Sequence, residues 1–261
     1  MRPTLSFVVP TRNQAQFLRE CVDSCLAQGI DGAEVWVIDG ASTDGTPQIL
    51  AGYGDRIRWR SEPDRGQSDA INKGIRLATG EVIAWINSDD LYAAPDVLAR
   101  VLDVFAAEPA CDVVHGDGML VDVRGAPFRR YASRAVDAAA LYAHPTSLVQ
   151  PSVFFRRQLF LDVGGLREDL HWAMDFDLWL RLFEAARQTR YLPEVFTHVR
   201  SHADAKTQRG MLRQIGEVRR LKRAWARGRR LDPRTRLAGL ASTVLLYAYW
   251  AAVRTGLVRA T

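Results

Sequence analysis

The chain has 261 residues, of which 48% are hydrophobic and 25% charged, the balance of an ordinary soluble globular protein. This composition excludes a disordered chain, a low-complexity fibre and a polytopic membrane protein. The three cysteines are too few and too odd in number for a disulfide framework, and the apolar run at residues 5–9 is too short for a secretory signal. We therefore expect a cytoplasmic protein.

The net charge of +5 hides an asymmetry between the two ends of the chain. Residues 1–205 carry 21 Lys/Arg against 28 Asp/Glu, whereas residues 206–261 carry 14 against 2. An acidic body can hold a cation, and a basic tail can meet phosphates, either those of lipid headgroups or those of nucleic acid. Because the body is acidic, we expect no nucleic-acid partner.

The first 110 residues alternate short β-rich runs with amphipathic stretches. We predict strands at 5–9, 35–38, 57–60 and 81–86, and helices at 14–28, 46–53, 67–78 and following Pro95. This alternation predicts βαβ units in a mostly parallel α/β sheet with helices on both faces. In such sheets ligands bind outside the carboxyl ends of the strands. Polar clusters follow three of these strands, at residues 10–13, 39–42 and 87–90.

The pattern is less regular from residue 111 to 200. We predict two strands of a hairpin at 113–117 and 119–123, further strands at 150–155 and 195–200, and a helix at 175–186. From Gln208 onward the chain is predicted to be helical and basic, with a break at Asp232 and Pro233.

The most acidic loop follows the predicted strand at 81–86, where Asp89 and Asp90 are adjacent. Like charges so close repel each other, and a hard cation such as Mg²⁺ or Mn²⁺ relieves that repulsion. Mg²⁺ commonly takes only one or two protein carboxylates together with substrate phosphates, so the loop suits a metal–diphosphate complex. The alternative is that the pair caps the next helix and is solvated.

Other polar residues stand at the ends of predicted elements. Asp39 follows the second strand and can bind a ribose or nucleobase, or it can stabilise the turn. No GxGxxG segment follows the first strand, which argues against NAD or FAD. Asp175 opens a helix, where an acid is commonly a cap, but nearby Trp172 gives it a semi-apolar setting that favours a general base. His202 is either a surface residue or a ligand for Mn²⁺ or phosphate, and Lys206 beyond it can face a diphosphate.

Seven segments, taken in order, resemble the motifs of family 2 glycosyltransferases. They are FVVPTRN (7–13), VIDGASTDGT (37–46), DAINKG (69–74), NSDD (87–90), VGGL (163–166), MDFDLWLR (174–181) and RSH (200–202). The resemblance covers residues 4–207 and implies a GT-A fold, with a Rossmann-like nucleotide-sugar-binding half at 1–110 and an acceptor half at 111–207. A basic, partly apolar helical extension follows at 208–261.

The resemblance implies an inverting, metal-dependent transfer of a sugar from a nucleotide-diphosphate-sugar to an acceptor hydroxyl. The implied donor carries UDP, GDP or dTDP, and the acceptor is a glycan or a lipid-linked molecule in surface glycan or polysaccharide synthesis. By position, Asp175 matches the general base, while Asp90 and His202 match the Mn²⁺ or Mg²⁺ site. The positions that match the donor site are Pro10, Thr11, Asn13, Asp39, Asp69 and Asp89. Candidates for contacts to the acceptor or the diphosphate are Gln150, Trp172 and Lys206.

Two positions depart from the family pattern. Asn87 stands where many members have Asp, which removes one negative charge from the metal loop, and Met174 stands where the family usually has Glu.

Two other functions remain as alternatives. A nucleotidyltransferase would share the sheet and the acids, but residues 11–14 are a poor version of the basic, Gly-rich loop that it needs. A non-catalytic nucleotide-sugar-binding module is the second alternative.

The tail combines a basic segment with an uncharged one. Residues 206–236 contain twelve Lys/Arg, and residues 237–253 contain no charged residue. These seventeen residues are marginal for a transmembrane helix, which needs roughly 20 apolar residues. One hypothesis is peripheral attachment to the anionic inner face of the cell membrane. The other is a helical hairpin that packs on the body or on a second subunit, forming a homodimer.

Overall fold

The computed structural model describes residues 1–202 and 205–254. Strands and helices are numbered in chain order. The strands are β1 (Leu5–Thr11), β2 (Glu34–Asp39), β3 (Arg58–Ser61), β4 (Val82–Trp85), β5 (Leu91–Tyr92), β6 (Cys111–Val121), β7 (Pro127–Tyr131), β8 (Val153–Arg156) and β9 (Gln188–Arg200). The helices are α1 (Ala15–Leu26), α2 (Thr46–Ala51), α3 (Gln67–Leu77), α4 (Val97–Ala107), α5 (Ala138–Ala143), α6 (Arg157–Asp162), α7 (Met174–Ala185), α8 (Lys206–Ala226) and α9 (Pro233–Arg254).

The described strands form a single sheet in the order β3-β2-β1-β4-β8-β6-β9-β5, with β7 paired to β6. In the first half, β3, β2, β1 and β4 are all parallel. In the second half, β8 runs antiparallel to both β4 and β6, whereas β9 runs parallel to β6. Because β1, β2 and β4 are parallel neighbours, their carboxyl ends lie along one edge of the sheet.

Alternate residues of the central strands face two cores. Leu5, Phe7 and Val9 of β1 pack with helices α1 and α4, whereas Val8 packs on the opposite face with α3 and α7. This period of two is what a strand covered by helices on both faces requires. The predicted layered α/β architecture is confirmed.

One predicted hairpin is wrong. Residues 113–123 do not turn near Gly118; they belong mostly to the single long strand β6, and the turn comes later, where Gly125 has a φ of 85°. Gly116 and Gly118 allow close approach instead, because a Cβ on them would lie 2.5 Å from the Phe196 ring and 2.6 Å from Val149. Glycine within a strand often marks such a contact rather than a turn.

Helices α8 and α9 pack on the body as a C-terminal hairpin. On α8, Ile215, Val218 and Leu221 are buried. The buried Lys222 Nζ donates hydrogen bonds to Gly239 O (2.9 Å) and to Ser242 Oγ (2.7 Å) on α9. The packing hypothesis is therefore observed for α8 and for one face of α9. Among the described residues, no helix has the length and hydropathy needed to span a bilayer.

The outer face of α9 is apolar and exposed. Its side chains remain between 55% and 69% exposed at Leu237, Leu240, Val244 and Leu245. Arg234 and Arg236 precede this face on the same helix.

Candidate active site

The loops after β1 and β2 are tied to each other. The backbone N–H of Asn13 donates to Ser42 Oγ (2.7 Å), and Asn13 Oδ1 accepts the N–H of Thr43 (2.8 Å). Asn13 has a φ of 53°, in the left-handed region that Asn tolerates better than most residues. The Asn13 side chain thus fixes the two loops that follow the first two strands.

Asp39 and Thr11 lie opposite each other at the ends of β2 and β1. The buried Asp39 carboxylate accepts hydrogen bonds from Ser61 Oγ (2.6 Å) and from the N–H of Ser42 (3.1 Å), so it stabilises the turn. Thr11 Oγ1 is buried and has no hydrogen-bond partner among the described residues. Pro10 precedes it and is also buried. An unpartnered buried hydroxyl at a strand end is unusual and marks a position where a ligand can supply the missing bond.

Asp69, in the first turn of α3, is held between two cations. Its carboxylate lies 3.2 Å from Arg65 Nη2 and 3.1 Å from Lys73 Nζ. Burial opposes its ionisation, but hydrogen bonds from Arg65 and Lys73, together with the Lys73 charge, outweigh burial and lower the pKa of Asp69 to about 2. Asp69 is therefore ionised throughout the physiological range.

A paired amide joins two of the segments that resemble family motifs. Asn72 Nδ2 donates to Leu166 O (2.8 Å), and the N–H of Leu166 donates to Asn72 Oδ1 (2.9 Å). Gly165 has a φ of 69° and passes close to the same amide. Helix α3 is thereby fixed to the loop that leads toward α7.

Asp89 and Asp90, adjacent in sequence, have different surroundings. The buried Asp90 accepts the backbone N–H of Arg200 on β9 (3.0 Å), whereas Asp89 Oδ2 lies 3.1 Å from His202 Nε2. Burial, together with the charge of Asp89, raises the pKa of Asp90. The His202 ring packs 4.9 Å from the Phe17 ring, which limits its orientations. The structure thus brings Asp89, and not Asp90, against the histidine.

Asn87 is the centre of a chain of side-chain amides. Its Oδ1 accepts from Gln67 Nε2 (2.9 Å), and its Nδ2 donates to Gln150 Oε1 (2.9 Å). Gln150 in turn donates to Trp85 O (3.0 Å). Because aspartate has no donor, an Asp at position 87 could not make the bond to Gln150. This chain gives a physical reason for the asparagine that departs from the family pattern.

Lys206, the first residue of α8, joins that chain to the start of α7. Its Nζ lies 2.9 Å from Gln67 Oε1 and 3.7 Å from Met174 Sδ. Its charge also acts on the Asp175 carboxylate, one residue beyond Met174. The loop of residues 87–90 and the start of α7 therefore border one site, with Lys206 between them.

Asp175 is half-buried in the first turn of α7. Burial raises its pKa, and the charge of Glu217 adds to this, while the Phe176 N–H and the charge of Lys206 act in the opposite direction. Among the side chains that the structure describes, which leave out residues 207–209, no cation lies within ion-pair distance of Asp175. A carboxylate with a raised pKa suits a general base.

Glu217 is a site residue that the sequence analysis missed. It lies on α8, is buried, and accepts backbone N–H groups of Trp172 (2.8 Å) and Ala173 (2.9 Å), just before α7 begins. The Ala173 N–H is one of the donors that a helix leaves unsatisfied at its start. The only sequence signal was that Glu217 and Asp232 are the two acids of an otherwise basic tail.

The described residues contain no cluster of three or more His, Cys, Asp or Glu arranged to hold a metal ion. Asp89 and His202 nevertheless form a carboxylate–imidazole pair, and both are accepted ligands for Mn²⁺. Two protein ligands suit a divalent ion that completes its coordination with substrate phosphates and water. The donor set therefore fits such an ion.

Comparison with known proteins identifies the family of this chain. The family model described as glycosyl transferase family 2 matches residues 6–162. A PGL/p-HBAD biosynthesis glycosyltransferase of Mycobacterium tuberculosis is 31% identical over 195 residues, covering 73% of this chain and 74% of the relative. An uncharacterised glycosyltransferase of Rickettsia typhi is 29% identical over 231 residues, covering 84% of this chain and 70% of the relative.

Solved glycosyltransferases share the fold. TarS of Staphylococcus aureus, residues 1–349 in complex with UDP-GlcNAc, superposes with a TM-score of 0.71 at 19% identity, covering 94% of this chain and 72% of TarS 1–349. The mannosyltransferase PcManGT of Pyrobaculum calidifontis, in complex with GDP-Man and Mn²⁺, superposes with a TM-score of 0.66 at 21% identity. The match covers 98% of this chain and 76% of PcManGT. The predicted GT-A fold is confirmed. The chain belongs to glycosyl transferase family 2 and is a glycosyltransferase.

Proposed function

We propose that this glycosyltransferase moves a sugar from a nucleotide-diphosphate-sugar to an acceptor hydroxyl with inversion, using a divalent metal and Asp175 as the general base. The observation that carries the proposal is that Lys206 contacts Met174 at the start of α7 and, through Gln67, reaches Asn87. Asn87 lies two residues before Asp89, which pairs with His202. On this proposal, the Asp89–His202 pair that would hold the metal and the base Asp175 border one site. Family membership argues against the nucleotidyltransferase alternative.

The donor would bind at the ends of β1 and β2, in the half formed by residues 1–110. The free Thr11 hydroxyl supports this assignment, as do the tied loops that carry Asn13 and Asp39. UDP, GDP and dTDP remain the candidates for the nucleotide. Structural neighbours in complex with UDP-GlcNAc and with GDP-Man support a nucleotide-sugar donor. Asp69 forms ion pairs with both Arg65 and Lys73, so it would line this site in a fixed position during the reaction.

We assign the metal to Asp89 and His202, in place of the Asp90 assignment made from sequence. Asp90 is engaged by the Arg200 backbone and lies in the interior, whereas Asp89 faces the histidine. A Mn²⁺ or Mg²⁺ ion held there would neutralise the negative charge that develops on the leaving diphosphate. Structural similarity to a Mn²⁺-bound mannosyltransferase supports the use of a divalent ion.

Asp175 would take the proton of the acceptor hydroxyl as that oxygen attacks the anomeric carbon. The acceptor half would be formed by residues 111–207, and the acceptor would approach past Trp172 and Gln150. Lys206 lies close enough to act on the Asp175 charge without forming an ion pair with it. A general base of this kind contributes roughly 10²–10⁴-fold to the rate.

A two-stage experiment tests the proposal. A thermal-shift screen of UDP, GDP and dTDP, each with and without Mn²⁺, should identify one nucleoside diphosphate that stabilises the protein only with the metal. Asp175→Asn should then lower sugar transfer by at least about 10²-fold while leaving binding of that nucleotide unchanged. Asp169→Asn, an exposed acid on the preceding loop, is the control and should keep wild-type transfer. Wild-type turnover in Asp175→Asn would contradict the base assignment.

The exposed face of α9 supports peripheral attachment to an anionic membrane, which would bring a lipid-linked glycan acceptor close to the site. Leu237, Leu240, Val244 and Leu245 form an apolar strip beside a basic segment, the pattern of helices that lie in the membrane interface. The protein should sediment with phosphatidylglycerol vesicles and not with phosphatidylcholine vesicles, and Leu240→Asp should abolish this. A homodimer in sedimentation equilibrium that Leu240→Asp dissociates would favour the second-subunit alternative.

A further inference from the structure

A cavity outside the proposed donor and metal sites lies between Trp172 and helix α8. Its volume is about 410 Å³, within the range of small-molecule sites, and it is lined by Trp172, Arg213, Gly216, Glu217 and Arg220. Four of these five residues belong to α8, the first helix of the basic tail.

The charged residues that line the cavity are two arginines and one glutamate, so their net charge is +1. Arg213 lies over the Trp172 ring, 5.8 Å from its centroid, and no carboxylate lies within ion-pair distance of Arg213 in the described part of the chain. Arg220 is exposed and approaches Glu217 at 3.8 Å. Glu217 Oε2 accepts the N–H groups of Trp172 and Ala173, and Oε1 is the oxygen paired with Arg220, so Glu217 offsets one of the two guanidinium charges and leaves that of Arg213.

The cavity lies near the start of α7, the helix that carries the proposed base. Trp172 lies three residues before Asp175, and Glu217, which lines the cavity, acts electrostatically on the Asp175 carboxylate. Gly210 passes so close to the Trp172 ring that a Cβ there would collide with it, which fixes the ring as the wall of the cavity. Trp172 and Glu217 thus link the cavity to the segment that carries Asp175.

We propose that this cavity is an acceptor subsite for a sugar that carries a phosphate, with Arg213 and Arg220 on the phosphate and Trp172 against the sugar. Guanidinium groups form bidentate hydrogen bonds with phosphate oxygens, and aromatic rings provide the apolar surface on which a sugar face packs. The inference rests on the proposed function, since it takes the neighbouring Asp175 as the base that acts on this acceptor.

Calorimetry with defined probes tests the subsite. Glucose 1-phosphate, glucose and inorganic phosphate are each titrated into the full-length protein, with and without the nucleoside diphosphate and Mn²⁺ that fill the donor site. Glucose 1-phosphate should bind at least about tenfold more tightly than either glucose or phosphate alone, whether or not the nucleotide is present. An octyl glucosyl phosphodiester is titrated in parallel. Tighter binding of this compound than of glucose 1-phosphate would indicate a lipid-linked acceptor, and weaker binding would indicate a free sugar phosphate.

A pair of charge-matched double variants supplies the control. Arg213→Gln with Arg220→Gln should weaken glucose 1-phosphate binding by at least about tenfold. Arg219→Gln with Arg223→Gln removes the same charge from exposed positions on α8 that do not line the cavity, and it should leave binding within about twofold of wild type, since only screened long-range attraction is lost. Both double variants should keep the Tm and the nucleotide affinity of the wild-type protein.

Three results would overturn the subsite: no preference for the sugar phosphate, equal losses in the two double variants, or displacement of glucose 1-phosphate by the nucleotide. Failure of the proposed function gives a different pattern. No nucleoside diphosphate would then bind with Mn²⁺, while the titrations without nucleotide would still decide whether Arg213 and Arg220 bind phosphate.

Discussion

Glu217 on α8 accepts the backbone N–H of Ala173 at 2.9 Å, so a residue of the C-terminal tail fixes the start of the helix that carries Asp175. This contact satisfies the N–H of the N-cap residue, which a helix leaves unpaired at its start, and Glu217 also accepts the N–H of Trp172 just before it. The N-cap residue Ala173 has no side chain that could cap this end. Helix α8 of the tail therefore packs as part of the same folded body as α7.

Glu217→Ala should lower the free energy of unfolding by about 1–3 kcal/mol, because it leaves buried N–H groups without an acceptor. Glu217→Gln keeps one acceptor oxygen and should lose less. Urea denaturation of the two variants measures the difference. An alanine variant within about 0.5 kcal/mol of wild type would mean that Glu217 does not hold the start of α7.

The rate of sugar transfer should fall as the pH drops through the raised pKa of Asp175. Only the ionised carboxylate can accept the acceptor proton, and burial makes ionisation of this group harder than for an exposed aspartate. A kcat profile measured at saturating donor should show an acidic limb above the usual aspartate range of about 4. A flat profile down to the pH of unfolding would count against Asp175 as the base.

Asp175→Asn should be at least as stable as wild type at neutral pH. A carboxyl whose folded pKa is raised stabilises the fold below its unfolded pKa of about 3.9, and that contribution is lost as the pH rises through the folded pKa. At pH 7 the folded protein thus carries the cost of a buried charge, which the amide removes. Thermal denaturation at several pH values should show the Tm advantage of Asp175→Asn shrinking as the pH is lowered. A lower Tm at pH 7 would contradict this.

Asn87→Asp should destabilise the metal-free enzyme by about 1–3 kcal/mol, because the bond to Gln150 is lost and a charge is added beside Asp89. Mn²⁺ with the nucleoside diphosphate should restore much of that stability, since the added charge attracts the cation. Asn72→Asp is the matched control: it breaks the amide pair with Leu166, and its loss should be the same in EDTA and in Mn²⁺. Equal losses for Asn87→Asp in both conditions would show that Asn87 does not border the metal.

Most of the fold could be predicted from sequence, because periodicity reports which face of an element is buried. The apolar positions of β1 and α1 that predicted a covered parallel strand are the ones that pack together. The hairpin near Gly118 could not be predicted correctly, because glycine serves both turns and close approaches. Only the position of Phe196, far along the chain, identifies the second role for Gly116.

The meeting of polar strand ends at one edge of the sheet could be predicted from sequence, but the contacts made there could not. The ends of β1, β2 and β4 do lie along one edge, yet sequence does not tell which of Asp89 and Asp90 faces inward. That choice depends on the backbone N–H of Arg200, which is 110 residues beyond Asp90. The role of Glu217 depends in the same way on a contact 44 residues distant in sequence.

The central claim is tested most directly by calorimetry of nucleoside diphosphate binding in the presence of Mn²⁺. Asp89→Asn should lose the metal-dependent part of the affinity, whereas Asp90→Asn, which can still accept the Arg200 N–H, and Asp175→Asn should both retain it. Wild-type, Mn²⁺-dependent binding by Asp89→Asn, with its loss in Asp90→Asn, would contradict the arrangement of Asp89, His202 and Asp175 around one site.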